Sequence, residues 1–249
     1  VTDTAAICLQ IDALTVLRGQ RLVIDQLTHQ QKHGELCILT GANGAGKSTL
    51  LRSIAGRLPT ESGHIACHLP RIYIGHADGL AGAISGRKNL QSWAAVNDIT
   101  VQGDDIEQAL AGFDAAPFAD IPVQLLSRGQ RRRLALARLL LAPTPSLWLL
   151  DEPNTGLDQD SQKRLETAIA AHLVAGLLLA SYGVIVAGVI SGHLDMTGLI
   201  ALAPLPAAIW ISLRLPRVLA MPDQLNRVLG ANVAVLLSTL ALLVTGLSL

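Results

Sequence analysis

The chain has 249 residues, half of them hydrophobic, with 19 basic and 19 acidic side chains and a formal net charge of zero. Neither part of the chain carries a strong net charge, so the balance gives no sign of a nucleic-acid partner, and none is expected. The mean hydropathy, +0.43, averages two unlike parts: residues 1–176 carry 33 charged side chains and residues 177–249 carry 5.

The N-terminus, VTDTAAICLQIDAL, has acids at Asp3 and Asp12 and no basic stretch, so it does not read as a secretory signal. Cys8, Cys37 and Cys67 are widely spaced, as expected of reduced structural thiols. The run ELCILTGANGAGKSTLLRSIAG predicts a strand over Leu36–Leu39, a glycine loop over Gly41–Ser48 and a helix over 49–55. The loop fits G-x-x-x-x-G-K-[ST]. Its glycines let backbone N–H groups turn inward on phosphate oxygens, and the helix N-terminus adds partial positive charge. The candidate phosphate-binding residues are Gly41, Asn43, Gly44, Ala45, Gly46, Lys47, Ser48 and Thr49. Lys47 suits the β- and γ-phosphates, and the Ser48 hydroxyl suits Mg²⁺.

Further on, His76 follows the apolar run RIYIG. In LLSRGQRRRLALARLLLA, Ser127 and Gly129 open a predicted helix with Leu134, Leu136, Leu139 and Leu140 at apolar positions. Its N-terminus is a second phosphate-ready site. Arg131, Arg132 and Arg133 read as a solvated helix face. PSLWLLDEP predicts a strand over Leu147–Leu150 that delivers Asp151 and Glu152 to one end. The first acid suits Mg²⁺, and the second can orient or deprotonate water. A helix follows in DSQKRLETAIAAHL, capped by Asp160 or Ser161, with Leu165, Ile169 and Leu173 on one face.

Glycine loop, LSRGQ, LLDEP and NTGLD, in that order, resemble the ABC-transporter ATPases. The resemblance implies an α/β P-loop NTPase fold, ATP and Mg²⁺ as cofactors, Glu152 and Lys47 as catalytic residues, and Ser48 and Asp151 on Mg²⁺. It also implies an ATPase dimer partner, in which Ser127, Gly129 and Gln130 of one subunit face the nucleotide held by the other. Arg128 stands where the first of two signature glycines usually sits. Asp158 lies in the part similar to the D-loop, and His76 stands where most of the family has the Q-loop glutamine. No aromatic precedes Tyr73 to stack on adenine, which leaves Arg18 as a cation–π replacement. Over about residues 7–175, RIYIGHADGLAGAISGRKNLQSWAA and LWLLDEP look like the ATPase subunit of the haem exporter of cytochrome c maturation. That narrower family implies haem export, membrane permease subunits, and a place at the cytoplasmic face of the inner membrane.

The family pattern implies one more strand and a switch histidine about ten residues past Gly176. SYGVIVAGV holds no histidine, and His193 lies 41 positions after Glu152, several too many. Three uncharged windows follow instead, Leu173–Gly192, Met196–Leu213 and Val228–Leu249, each near the length of a membrane helix. Arg214, Arg217 and Arg227 place the second connector in the cytoplasm. This tail is similar to the C-terminal helices of membrane prenyltransferases of quinone synthesis, but it lacks their Asp-rich motifs, so no catalytic residue is carried over. The expected organisation is an ATP-binding domain over 1–176, lacking its last strand and switch histidine, then a hydrophobic membrane segment over 177–249. Three functions stay open: an exporting ATPase, a nucleotide-binding chain impaired in hydrolysis (a fusion or chimera), and a fragment of a membrane prenyltransferase.

Overall fold

The computed structural model describes residues 7–190, with side chains described over 7–176. Two hairpin strands come first among the described residues, β1 (Ile7–Arg18) and β2 (Arg21–Lys32), joined by a two-residue turn at Gly19 and Gln20. With β3 (Ser62–Cys67) they form an antiparallel sheet in the order β2-β1-β3. β1 buries Leu9 and Ile11, then Leu14 and Val16, so the inward parity switches midway. A register shift between Ile11 and Leu14 makes that switch, with Ala13 at φ 45°. One extra residue in a strand flips which side chains face the core. β3 crosses this bulge with Gly63, where a Cβ would lie 2.4 Å from the Ala13 carbonyl oxygen.

The second sheet is parallel and two-stranded: β4 (Arg71–Ile74) pairs with β5 (Leu147–Leu150), Ile74 opposite Leu150. The predicted β5 is therefore present. Between them lie α2 (Gly86–Val96), α3 (Gly103–Gly112), two 3₁₀ turns at Ala116–Phe118 and Val123–Leu125, and α4 (Arg128–Leu141). Leu90, Leu110, Phe113, Leu134, Leu136 and Leu139 make their shared core. A smaller core joins the first sheet to Ile54 of α1 (Lys47–Ile54) and Leu149 of β5.

Four expectations need correction. Leu36–Leu39 forms no strand; Leu36 and Ile38 are 60% and 73% exposed, and no described strand pairs with the segment. An isolated apolar run has no ladder to hold it extended. Arg132 is 3% exposed, so the arginine run is not a solvated face throughout. α5 (Gln159–Ile190) is capped by Asp158, whose Oδ1 accepts from the Ser161 amide at 2.8 Å. Its buried face runs through Ser161, Leu165, Ala168, Ala171 and Ala175, rotated from the predicted one because small residues let the helix approach closely.

Past Gly176, α5 stays helical to Ile190, where the family pattern implies a strand. Among the described residues no helix is long and apolar enough to cross a membrane. Most of the first apolar window and all of the other two, with His193, lie outside the residues whose side chains are described.

Candidate nucleotide site

Gly46 caps α1 with φ 100°, a conformation that costs a side chain strain, and an added Cβ would meet Val23 Cγ1 at 2.9 Å. No side chain caps this helix, so the amides of its first turn keep their hydrogen-bonding capacity. Lys47 Nζ donates to the Gly41 and Ala42 carbonyls at 2.6 and 2.9 Å and draws the loop round its own cation. Ala45 N closes a turn on the Ala42 carbonyl at 3.2 Å. Asn43, Gly44 and Ala45 are exposed. Thr49 is buried.

The Asp151 amide donates to the Ile74 carbonyl at 2.9 Å, which aligns the ends of β4 and β5. Gly75–His76 and Asp151–Glu152 therefore leave the sheet side by side. Ser48 Oγ donates to Asp151 Oδ1 at 2.9 Å across 103 residues of sequence. The two residues assigned to Mg²⁺ are thus together. A hydroxyl and a carboxylate are hard oxygen donors, and Mg²⁺ takes its remaining ligands from phosphates and water. The donor set fits that ion. Tyr73, which the sequence did not mark, donates to Asp151 Oδ2 at 3.2 Å and accepts from Arg52 Nε at 3.3 Å. That hydrogen bond also raises the Arg52 guanidinium above its usual range.

Glu152 lies in the left-handed region at φ 49°. Its Oε2 is 3.3 Å from His76 Nδ1 and 3.5 Å from Thr155 Oγ1. The His76 and Glu152 side chains are both more than half exposed, open to water. Arg132 lies beneath them and donates to the Gly75, Glu152 and Pro153 carbonyls at 2.7, 2.9 and 3.2 Å. Nothing local in the sequence separated this arginine from its neighbours.

The signature stretch is built differently. Ser127 caps α4, accepting from the Gln130 amide at 3.2 Å, while Gln130 Oε1 accepts from the Ser127 amide at 2.8 Å. Gly129 abuts the Asn154–Asp158 turn; a Cβ there would lie 3.1 Å from the Gly156 carbonyl oxygen. The Arg128 side chain also lies against Gly156. The hydrogen bonds from Ser161 hold the Asp158 carboxyl below its usual range. Arg18 ends β1 at the hairpin turn, on the strand pair that meets the glycine loop through Val23.

The ABC transporter family profile matches residues 24–155. The cytochrome c biogenesis ATP-binding export protein CcmA of Gluconobacter oxydans is 40% identical over 168 residues, covering 68% of this chain and 77% of that protein. Its namesake in Paramagnetospirillum magneticum is 42% identical over 177 residues, covering 66% and 81%. Among solved structures, an ABC transporter ATP-binding protein from Pyrococcus furiosus is similar with a TM-score of 0.58 at 25% identity, covering 66% of this chain and 85% of that one. The ATP-binding subunit of another ABC transporter shares the fold at a TM-score of 0.61 and 22% identity, covering 68% and 76%. The chain belongs to the ABC transporter family, as one of its ATP-binding subunits.

Proposed function

We propose that the chain couples ATP hydrolysis to export, with haem for c-type cytochromes as the cargo of its transporter. One observation supports this above others: Ser48 and Asp151 meet at 2.9 Å between the glycine loop and Glu152. Lys47 and the loop amides hold the phosphates, and Ser48 and Asp151 hold Mg²⁺, which neutralises phosphate charge when bound. Glu152 takes the proton of the attacking water as the oxygen bonds to the γ-phosphorus and ADP leaves. His76 faces the same water. Ser127, Gly129, Gln130 and Asp158 serve the nucleotide of a dimer partner. Permease subunits hold the dimer at the cytoplasmic face of the inner membrane. Residues 1–176 are the ATP-binding domain. Residues 177–249 form a membrane segment, a reading supported by the three uncharged windows. The prenyltransferase likeness of that tail rests on sequence pattern alone and assigns it no activity.

A second reading, ATP binding with little hydrolysis, is favoured by the helical course of α5 to Ile190. Turnover by the full chain with its permease, compared with Glu152→Gln, decides between them. Wild-type turnover that falls by about 10²- to 10³-fold in the variant, with ATP still bound, supports hydrolysis. Equal background rates in both support binding alone. Complementation of a strain lacking haem attachment to c-type cytochromes tests the cargo.

A further inference from the structure

Burying a guanidinium is costly unless its N–H groups are met. Arg132, 3% exposed, meets five acceptors on two loops distant in sequence. NH1 donates to the Gly75 carbonyl at 2.7 Å and to Asp78 Oδ1 at 3.3 Å. The other groups reach the Asp151, Glu152 and Pro153 carbonyls at 3.4, 2.9 and 3.2 Å. Four of the five acceptors are backbone carbonyls, so the arginine fixes where the two chains run. Arg138, six residues further along α4, holds the end of the first loop at the Asp78 and Gly79 carbonyls.

A second observation converges on the same place. A glutamate at φ 49° is strained and persists only where its surroundings hold it. The peptide carbonyl of that residue is one that Arg132 grips. The turn brings Glu152 Oε2 to His76 Nδ1, and His76 directly follows the Gly75 carbonyl that takes the shortest Arg132 bond. His76 and Thr155 both engage Oε2, which leaves Oε1 to take the proton of water.

We propose that Arg132 is the positioning residue of the hydrolytic centre: it clamps the two loops so that His76 holds Glu152 with one carboxylate oxygen occupied and the other free. This rests on Glu152 being the general base. The test uses the full chain with its permease and the variants Arg132→Lys, Arg132→Met and His76→Ala. Arg132→Lys keeps the charge and part of the bonding, so it spares folding. In it, kcat falls by at least about tenfold, while binding of a non-hydrolysable ATP analogue stays within about twofold. Amide hydrogen exchange quickens in residues 75–79 and 151–155 together. His76→Ala lowers kcat in the wild type and adds nothing in the Arg132→Lys background. Wild-type kcat and exchange in Arg132→Lys would overturn the proposal, as would an equal loss from His76→Ala in both backgrounds. Should Glu152→Gln turn over as fast as wild type, the base assignment falls, and exchange in the two loops still decides the clamp.

Discussion

Two helix N-termini, one behind the glycine loop and one behind the signature stretch, are finished in opposite ways. α1 begins at Gly46 with no side-chain cap, behind a segment whose Leu36 and Ile38 face solvent. α4 begins at Ser127 inside a closed capping box, and its body lies in the main core. An uncapped first turn offers all its amides to an incoming anion, whereas the α4 capping box has already used the Gln130 amide. The ligand-dependent end is therefore α1. The α4 end is closed by hydrogen bonds between Ser127 and Gln130 within the chain itself.

The difference can be broken from either side. The largest effect belongs to the packed wall. Leu134 is fully buried against Gly86, and Leu134→Ala should cost about 2–5 kcal/mol in denaturant unfolding. Acid should come next. His172 stacks on Trp148 at 4.0 Å between centroids, and burial pushes its pKa down to about 4, against the opposing pull of the Ser146 carbonyl. Above the usual histidine range both folded and unfolded chains carry it neutral. Between pH 6.5 and about 4 only the unfolded chain takes up the proton, so stability falls with pH across that window, by roughly 3 kcal/mol in all. His172→Phe should flatten that part of the profile in pH-resolved melts.

On the open wall, Gly46→Ala forces a side chain into a left-handed conformation against Val23. It should cost about 1–3 kcal/mol and weaken ATP binding measured by titration calorimetry. Ser127→Ala removes one cap and should cost about 1 kcal/mol, leaving ATP binding to the monomer unchanged. Ile38→Ser, at a residue 73% exposed, should move the midpoint by no more than about 0.5 kcal/mol. An Ile38→Ser penalty as large as that of Leu134→Ala would mean that the segment before the glycine loop is packed in solution.

The elements of the candidate nucleotide site were legible where their signals were local. The Gly41–Ser48 loop, α4 behind Ser127, and β5 ending in Asp151 and Glu152 each announce themselves within about a dozen residues. Arg132 did not, because its acceptors lie 19 to 57 residues away in the chain. Tyr73 was hidden for the same reason, since its contact with Asp151 depends on the parallel pairing of β4 and β5. The strand expected at Leu36–Leu39 shows the converse. Apolar residues make a run strand-like, but only a neighbouring ladder makes it a strand.

The three thiols turn the exposed segment into a ready-made reporter. Cys8 is buried, donates to the Gln31 carbonyl and has its pKa pushed up to about 11 by burial, which makes it a poor nucleophile. Cys67 is half-buried, whereas Cys37 stands exposed four residues before Gly41. A thiol-selective fluorophore should therefore enter first at Cys37. It would sit beside the glycine loop without any engineered cysteine, and its emission would follow nucleotide binding in the native chain.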